Sequence, residues 1–257
     1  MFIGQKHITT QLDLILPHVK REHSGIALLL RGPSGYGKTD LARRICNVLA
    51  DDSYLESLGN DISIREEVWV HFIDEIHLCK EPEVLYPLLD FNKHVLILAT
   101  NFDSSLPEAL TNRCENFLFT AYSDDELMTI FNNVFPYVLP ERVVKHIIEI
   151  AGRCPRVIIR TYVNNLKMYF SSNRELLVRG DCQELIDTID TIHGIKNGLD
   201  ANSQHYLASL TGLGGRASLG LLASSMKLDT NSIRYGIEPI LMYKGLIKIT
   251  SKGRELC

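Results

Sequence analysis

Gly32-Pro33-Ser34-Gly35-Tyr36-Gly37-Lys38-Thr39 fits the pattern GxxxxGK[ST]. Glycines let backbone N–H groups approach phosphate oxygens. A lysine after them supplies a point charge for the β- and γ-phosphates, and the next hydroxyl can ligate Mg²⁺. The pattern predicts ATP and Mg²⁺ as ligands, with nucleotide contacts extending to Asp40. Asp74-Glu75 closes a later apolar run. Asp74 can hold Mg²⁺, with Thr39, through water, and Glu75 can polarise an attacking water as general base. Asn101 closes the next apolar run. Its amide can place that water, or it can simply form a turn in residues 100–103. Arg113 is an arginine finger reaching a neighbouring subunit, or a surface arginine. Arg156 opens a helix, where a cation opposes the helix dipole, so it points to an anionic partner. His77 lies three residues after Asp74 and reads as structural. No GxSxG or HExxH is present, so nothing supports nucleophilic or metallo-hydrolase chemistry.

These residues need a frame. Gly25–Arg31 reads as a buried strand and Gly32–Gly37 as a loop. Lys38–Ala50 has Leu41, Ala42, Ile45, Val48 and Leu49 at helical spacing. Strand, glycine loop and helix open a parallel α/β layer. Val68–Ile73 and His94–Thr100 are two more strands, and in open α/β sheets chemistry gathers at the carboxyl ends of strands. After Phe119 the pattern turns helical. Ser123-Asp-Asp-Glu126 is a capping box. Helices follow over Glu141–Gly152, Arg156–Phe170 and Cys182–Ile192, and Gly194–Gly198 reads as a linker. Helices near Ser203–Leu210, Ser218–Met226 and Asn231–Tyr243, then two short extended pieces, describe a winged helix.

The composition is that of a packed protein: 257 residues, 45% apolar, 23% charged and net charge −4, which excludes wholesale disorder. The longest clean apolar runs, Ile26–Leu30 and Val95–Ala99, fall far short of the ~20 residues that span a bilayer. The N-terminus MFIGQK carries no readable signal peptide. The six cysteines are scattered without a CxxC, which reads as reduced thiols in a cytoplasmic protein. Residues 197–257 hold seven basic and four acidic side chains on an otherwise acidic chain, a hint of nucleic acid.

Together these residues resemble the AAA+ ATPases and, within them, the RuvB family of bacterial Holliday-junction branch-migration motors. Phe2-Ile3-Gly4-Gln5 looks like that family's box beside the adenine. Phe72-Ile-Asp-Glu-Ile-His77 looks like its Walker B stretch, and Glu83-Val-Leu-Tyr-Pro87 like the segment after it. Pro155-Arg156 falls at its sensor-2 arginine. Gly198-Leu-Asp200, Glu238-Pro-Ile-Leu241 and Thr250-Ser-Lys-Gly-Arg254 look like its winged helix.

The resemblance implies an α/β fold: a P-loop AAA+ parallel-sheet domain over 1–120, a helical lid over 121–196 and a C-terminal winged helix over 197–257. It implies that Ile3 and Gly4 contact ATP and that Asn101 is sensor 1. It makes Arg113 the trans-acting finger of a ring or filament, and Lys252 and Arg254 DNA contacts. Two features depart from the family. Tyr86–His94 runs directly into the sensor-1 strand, without the hairpin that docks the family's junction-binding partner, so no RuvA-like partner is expected. Asp51–Glu67 has room for little more than one strand and a turn, and a chain starting at FIGQ reads as a reduced relative. The leading expectation is an oligomeric ATP-driven motor on duplex or junction DNA. Its alternative is a non-translocating ATP-dependent DNA-binding protein that loads or recruits a partner. A protein-remodelling AAA+ is a third reading.

Overall fold

The structure, a computed structural model, describes residues 2–90, 93–101, 106–179 and 181–257. Part of the Tyr86–His94 stretch and the end of the turn after Thr100 lie outside them. The described residues form two compact units, dividing between Tyr122 and Ser123.

The first unit holds α1 (Lys6–Glu22), β1 (Ile26–Arg31), α2 (Lys38–Ala50), β2 (Leu55–Leu58), β3 (Val70–Asp74), α3 (Tyr86–Asp90), β4 (Val95–Thr100), α4 (Glu108–Thr111) and β5 (Glu115–Leu118). The five strands are parallel in the order β2-β3-β4-β1-β5. β4 is buried along its whole length and β1 through Leu28, Leu29 and Leu30, as strands covered on both faces must be. Alternate residues feed two cores. Leu28, Leu30, Phe72 and Ile97 meet α1 and α2 through Leu12, Leu41 and Ile45. Leu29, Ile73 and Leu98 meet Ile76, Leu85 and Leu110 on the other face. Each such side chain contributes about 1.5–3 kcal/mol by leaving water.

The functional consequence is positional. β1, β3 and β4 end together at Arg31, Asp74 and Thr100. The phosphate loop follows β1, Glu75 follows β3 and Asn101 follows β4. Between β3 and β4 the described residues form two 3₁₀ turns (Ile76–Leu78 and Pro82–Leu85) and α3, with no strand among them. The 51–67 interval holds only β2 and a tight turn, closed by a Leu58–Asp61 bridge.

The second unit begins with α5 (Asp124–Val134). Ser123 Oγ accepts from the Glu126 N–H, and the Glu126 carboxylate accepts from the Ser123 N–H, so the expected capping box is complete. Next come α6 (Glu141–Ile150), α7 (Pro155–Val157), α8 (Asn164–Ser172), α9 (Arg174–Arg179) and α10 (Cys182–His193). Then follow α11 (Ala201–Gly212), β6 (Arg216–Ala217), α12 (Leu219–Met226), α13 (Thr230–Ser232), α14 (Glu238–Tyr243), β7 (Ile247–Thr250) and β8 (Gly253–Leu256). The last strands form an antiparallel sheet in the order β6-β8-β7, the wing of a winged helix. Tyr206, Leu222, Ile233 and Leu241 form its core.

Two π-helical stretches, Ile158–Val163 and Ile233–Ile237, widen otherwise continuous helices. The second precedes Pro239, whose ring clashes with the carbonyl four residues back unless the helix opens there. Arg153 joins three parts of this unit. Its guanidinium pairs with Asp124 at 2.5 Å and lies over the Tyr243 ring at 5.8 Å.

Candidate active site

The centre of the site is a chain of hydrogen bonds across three strand ends. Lys38 is buried, and its Nζ donates to Gly32 O (2.7 Å), Pro33 O (2.8 Å) and Asn101 Oδ1 (2.5 Å). The other end of the Asn101 amide, Nδ2, donates to both oxygens of Glu75, at 2.8 and 3.0 Å. Thr39 Oγ1 donates to Asp74 Oδ2 at 2.8 Å, and Asp74 Oδ1 accepts the Glu75 N–H at 2.9 Å. Lys38, Thr39, Asp74, Glu75 and Asn101 are thus brought together from separate strand ends.

The loop geometry fits a triphosphate. Gly37 has φ +93°, and a Cβ there would sit 3.0 Å from the Phe2 ring, so this turn into α2 favours glycine. Thr39 and Asp74 supply a hydroxyl and a carboxylate side by side. Mg²⁺ is commonly held by one or two such protein oxygens together with phosphate oxygens and water. The donor set suits that mode, with Thr39 and Asp74 as the residues that would hold the ion.

The N-terminal box closes over the loop. Gln5 is buried and grips the Thr120 backbone with both ends of its amide: Nε2 donates to Thr120 O at 2.7 Å, and Oε1 accepts the Thr120 N–H at 3.0 Å. The Phe2 ring meets Phe119 edge-on. Tyr122 donates its hydroxyl to Tyr36 O at 2.8 Å. Gly4 is buried and Ile3 half-buried. The resemblance names Phe2–Gln5 as a box beside the adenine, with Ile3 and Gly4 as contacts, but it gave Gln5 no anchoring role and missed Tyr122, whose hydrogen bonds fix the box and the loop. The one available signal was Gln5 itself, a polar residue inside an apolar box.

Glu75 has a left-handed backbone, φ +51°. That costs energy in a non-glycine residue and marks functional positions. Gly59, just after β2, permits the turn. A Cβ at 59 would lie 2.3 Å from Glu75 O, so only glycine fits against that backbone. Spacing gave no hint of it, because the contact is made between strands.

Other expected residues sit elsewhere. Asp40 is exposed and accepts from Arg44 Nε at 2.9 Å, so its side chain stands outside the network. Pro33 is exposed, while Ser34, Gly35 and Tyr36 lie in the loop itself. Arg113 follows α4, donates to Ala109 O at 2.7 Å and lies over the Tyr86 ring at 5.0 Å. Arg156 belongs to the second unit, exposed in α7 beside Pro155.

In the winged helix, Lys252 is exposed at the turn between β7 and β8. Arg254, the other expected DNA contact, has a partner within the fold. Its Nε donates to Glu238 Oε1 at 2.7 Å and its guanidinium reaches Oε2 at 3.2 Å, with Glu238 fully buried and Tyr206 also donating to it. Its charge is committed inside the fold, whereas the sequence alone showed only a basic residue in a wing.

Comparison with known proteins shows what the chain is similar to. Residues 196–257 match the model of the RuvB C-terminal winged helix domain. The Mycoplasma genitalium Holliday junction branch migration complex subunit RuvB is 26% identical over 289 residues, covering 98% of this chain and 92% of that protein. The Campylobacter jejuni subsp. doylei subunit of the same name is 27% identical over 291 residues, covering 98% and 86%. The Thermotoga maritima RuvB Holliday junction branch migration motor superposes with a TM-score of 0.83 at 23% identity, covering 100% of this chain and 93% of that one. These alignments are longer than this 257-residue chain, so the relatives carry stretches with no counterpart here. The chain is similar to these RuvB proteins over 98% of its length.

Proposed function

We propose that this chain, a RuvB-like AAA+ ATPase, binds ATP with Mg²⁺ and couples its hydrolysis to movement on duplex or junction DNA as an oligomer. The observation that supports it is the Lys38–Asn101–Glu75 chain beside Thr39–Asp74, groups suited to phosphate gathered at the carboxyl ends of adjacent strands. When bound, Mg²⁺ neutralises phosphate charge and orients the oxygens. Lys38 has its ammonium already under the loop and exchanges Asn101 Oδ1 for a phosphate oxygen. That frees the Asn101 amide to hold a water. Glu75, a half-buried carboxylate beside that amide, takes the water's proton as general base. Arg113 serves a neighbouring subunit's nucleotide and Arg156 its own, as in the family. Lys252 contacts DNA phosphates.

The loader or recruiter reading is not favoured, because relatives aligned along 98% of the chain are named as branch migration subunits. A cytoplasmic location follows from work on DNA. No helix among the described residues is long and apolar enough to cross a membrane.

Lys38→Ala should abolish binding of a fluorescent ATP analogue. Glu75→Gln should keep that binding and lose roughly 10²–10⁴-fold in turnover, the usual share of a general base. Mixing Arg113→Ala with Lys38→Ala protein should restore part of the hydrolysis, because one supplies the nucleotide site and the other the finger. Normal turnover by Glu75→Gln, or mixtures as inactive as their parents, would remove these roles.

A further inference from the structure

Asn101 is not the only residue on the Glu75 carboxylate. His77 Nδ1 lies 3.2 Å from Glu75 Oε2 and 3.1 Å from Thr100 Oγ1. Residues two apart on a helix do not face each other. Here the left-handed turn at Glu75, followed by the 3₁₀ turn Ile76–Leu78, folds the two side chains together. Thr100 is fully buried at the end of β4, so its hydroxyl is a fixed point. The His77 side chain is only 12% exposed.

We propose that His77 is a positioning residue for Glu75: Thr100 anchors the imidazole, and the imidazole Nδ1–H holds the carboxylate where it meets the attacking water. This rests on the reading of Glu75 as general base. An ionised carboxylate only accepts hydrogen bonds, so in the proposed arrangement Nδ1 carries the proton and faces Glu75 Oε2 at 3.2 Å, while the Thr100 hydroxyl, its hydrogen-bond partner at 3.1 Å, fixes the ring. Burial lowers the His77 pKa against the pull of Glu75, so the ring is neutral near neutral pH. A neutral donor orients the base without neutralising it, as an imidazolium would. Asn101 cannot do this alone. Its amide already spans Lys38 and Glu75 and, in the proposed cycle, turns to the water. His77 then keeps Oε2 in place.

The test measures kcat, KM for ATP and thermal melting of the full chain carrying His77→Ala, His77→Asn, Thr100→Val or Glu75→Gln, and the His77→Ala/Glu75→Gln pair. Misplacing a reacting group by an ångström can cost about 10²-fold, so His77→Ala should lower kcat by roughly 10- to 100-fold with KM within about twofold of wild type. His77→Asn, which keeps an N–H at the δ position, should recover most of that loss. Thr100→Val should fall between the two. In the Glu75→Gln background, His77→Ala should cost nothing more, because its effect acts through Glu75. Unchanged kcat in His77→Ala, or His77→Asn melting like wild type yet as slow as Ala, would overturn the proposal. Should His77→Ala fail to fold, His77→Asn and Thr100→Val decide it. Failure of the general-base reading would show separately, as wild-type turnover in Glu75→Gln alone.

Discussion

Asn101 uses both ends of one amide, oxygen toward a cation and nitrogen toward an anion, and so links Lys38 to Glu75. The same scale governs the buried imidazoles. His71 lies among the strands with its ring on Val68 O and near His94, and burial lowers its pKa. His193 is lowered by burial against the opposing pull of Asp190. Both pKa values lie below the ordinary 6.5, so acid protonates the unfolded chain first and favours it. Stability from these groups is complete above about pH 6.5 and is lost as pH falls toward the lowered folded values. Melting temperature should therefore drop between pH 7.5 and pH 5.5, and His71→Gln should flatten that slope. A melting temperature independent of pH over this range would show that these rings do not carry the effect.

At the scale of elements, the Arg254–Glu238–Tyr206 cluster ties β8 to α14 and α11. Removing one partner of a buried pair leaves an uncompensated charge and costs about 3–5 kcal/mol. Arg254→Ala should melt the winged helix early, and Arg254→Met with Glu238→Met should recover most of that stability, as seen by thermal melting. Lys252→Ala should leave melting unchanged and reduce the salt slope of DNA binding by about one. If Arg254→Ala weakened DNA binding with no change in melting, its role would be contact rather than support. The sheet, phosphate loop and capping box were legible because each is local: apolar runs, a fixed spacing, a reciprocal cap. α1 escaped notice because Pro17 interrupts it, yet Ile8, Leu12, Leu16 and Val19 still form a buried stripe. β5 escaped because only Phe117 of its four residues is buried. Gly59 and the anchoring role of Gln5 were missed for another reason, since each acts on a segment distant in sequence.

For the whole molecule, the alignment to a relative over 289 residues and the short β2 and β3–β4 regions describe a RuvB-like chain that is shorter than its relatives between shared elements. If movement on DNA needs only the ATP site, the winged helix and self-assembly, then the motor should work without a hairpin-docked partner. The central test is strand displacement on a synthetic four-way junction, followed with steady-state ATP hydrolysis on single-stranded, duplex and junction DNA. The account predicts that duplex or junction DNA stimulates hydrolysis. It further predicts displacement that requires ATP and disappears in Lys38→Ala and Glu75→Gln. Assembly on DNA with slow hydrolysis and no displacement on any junction would contradict it.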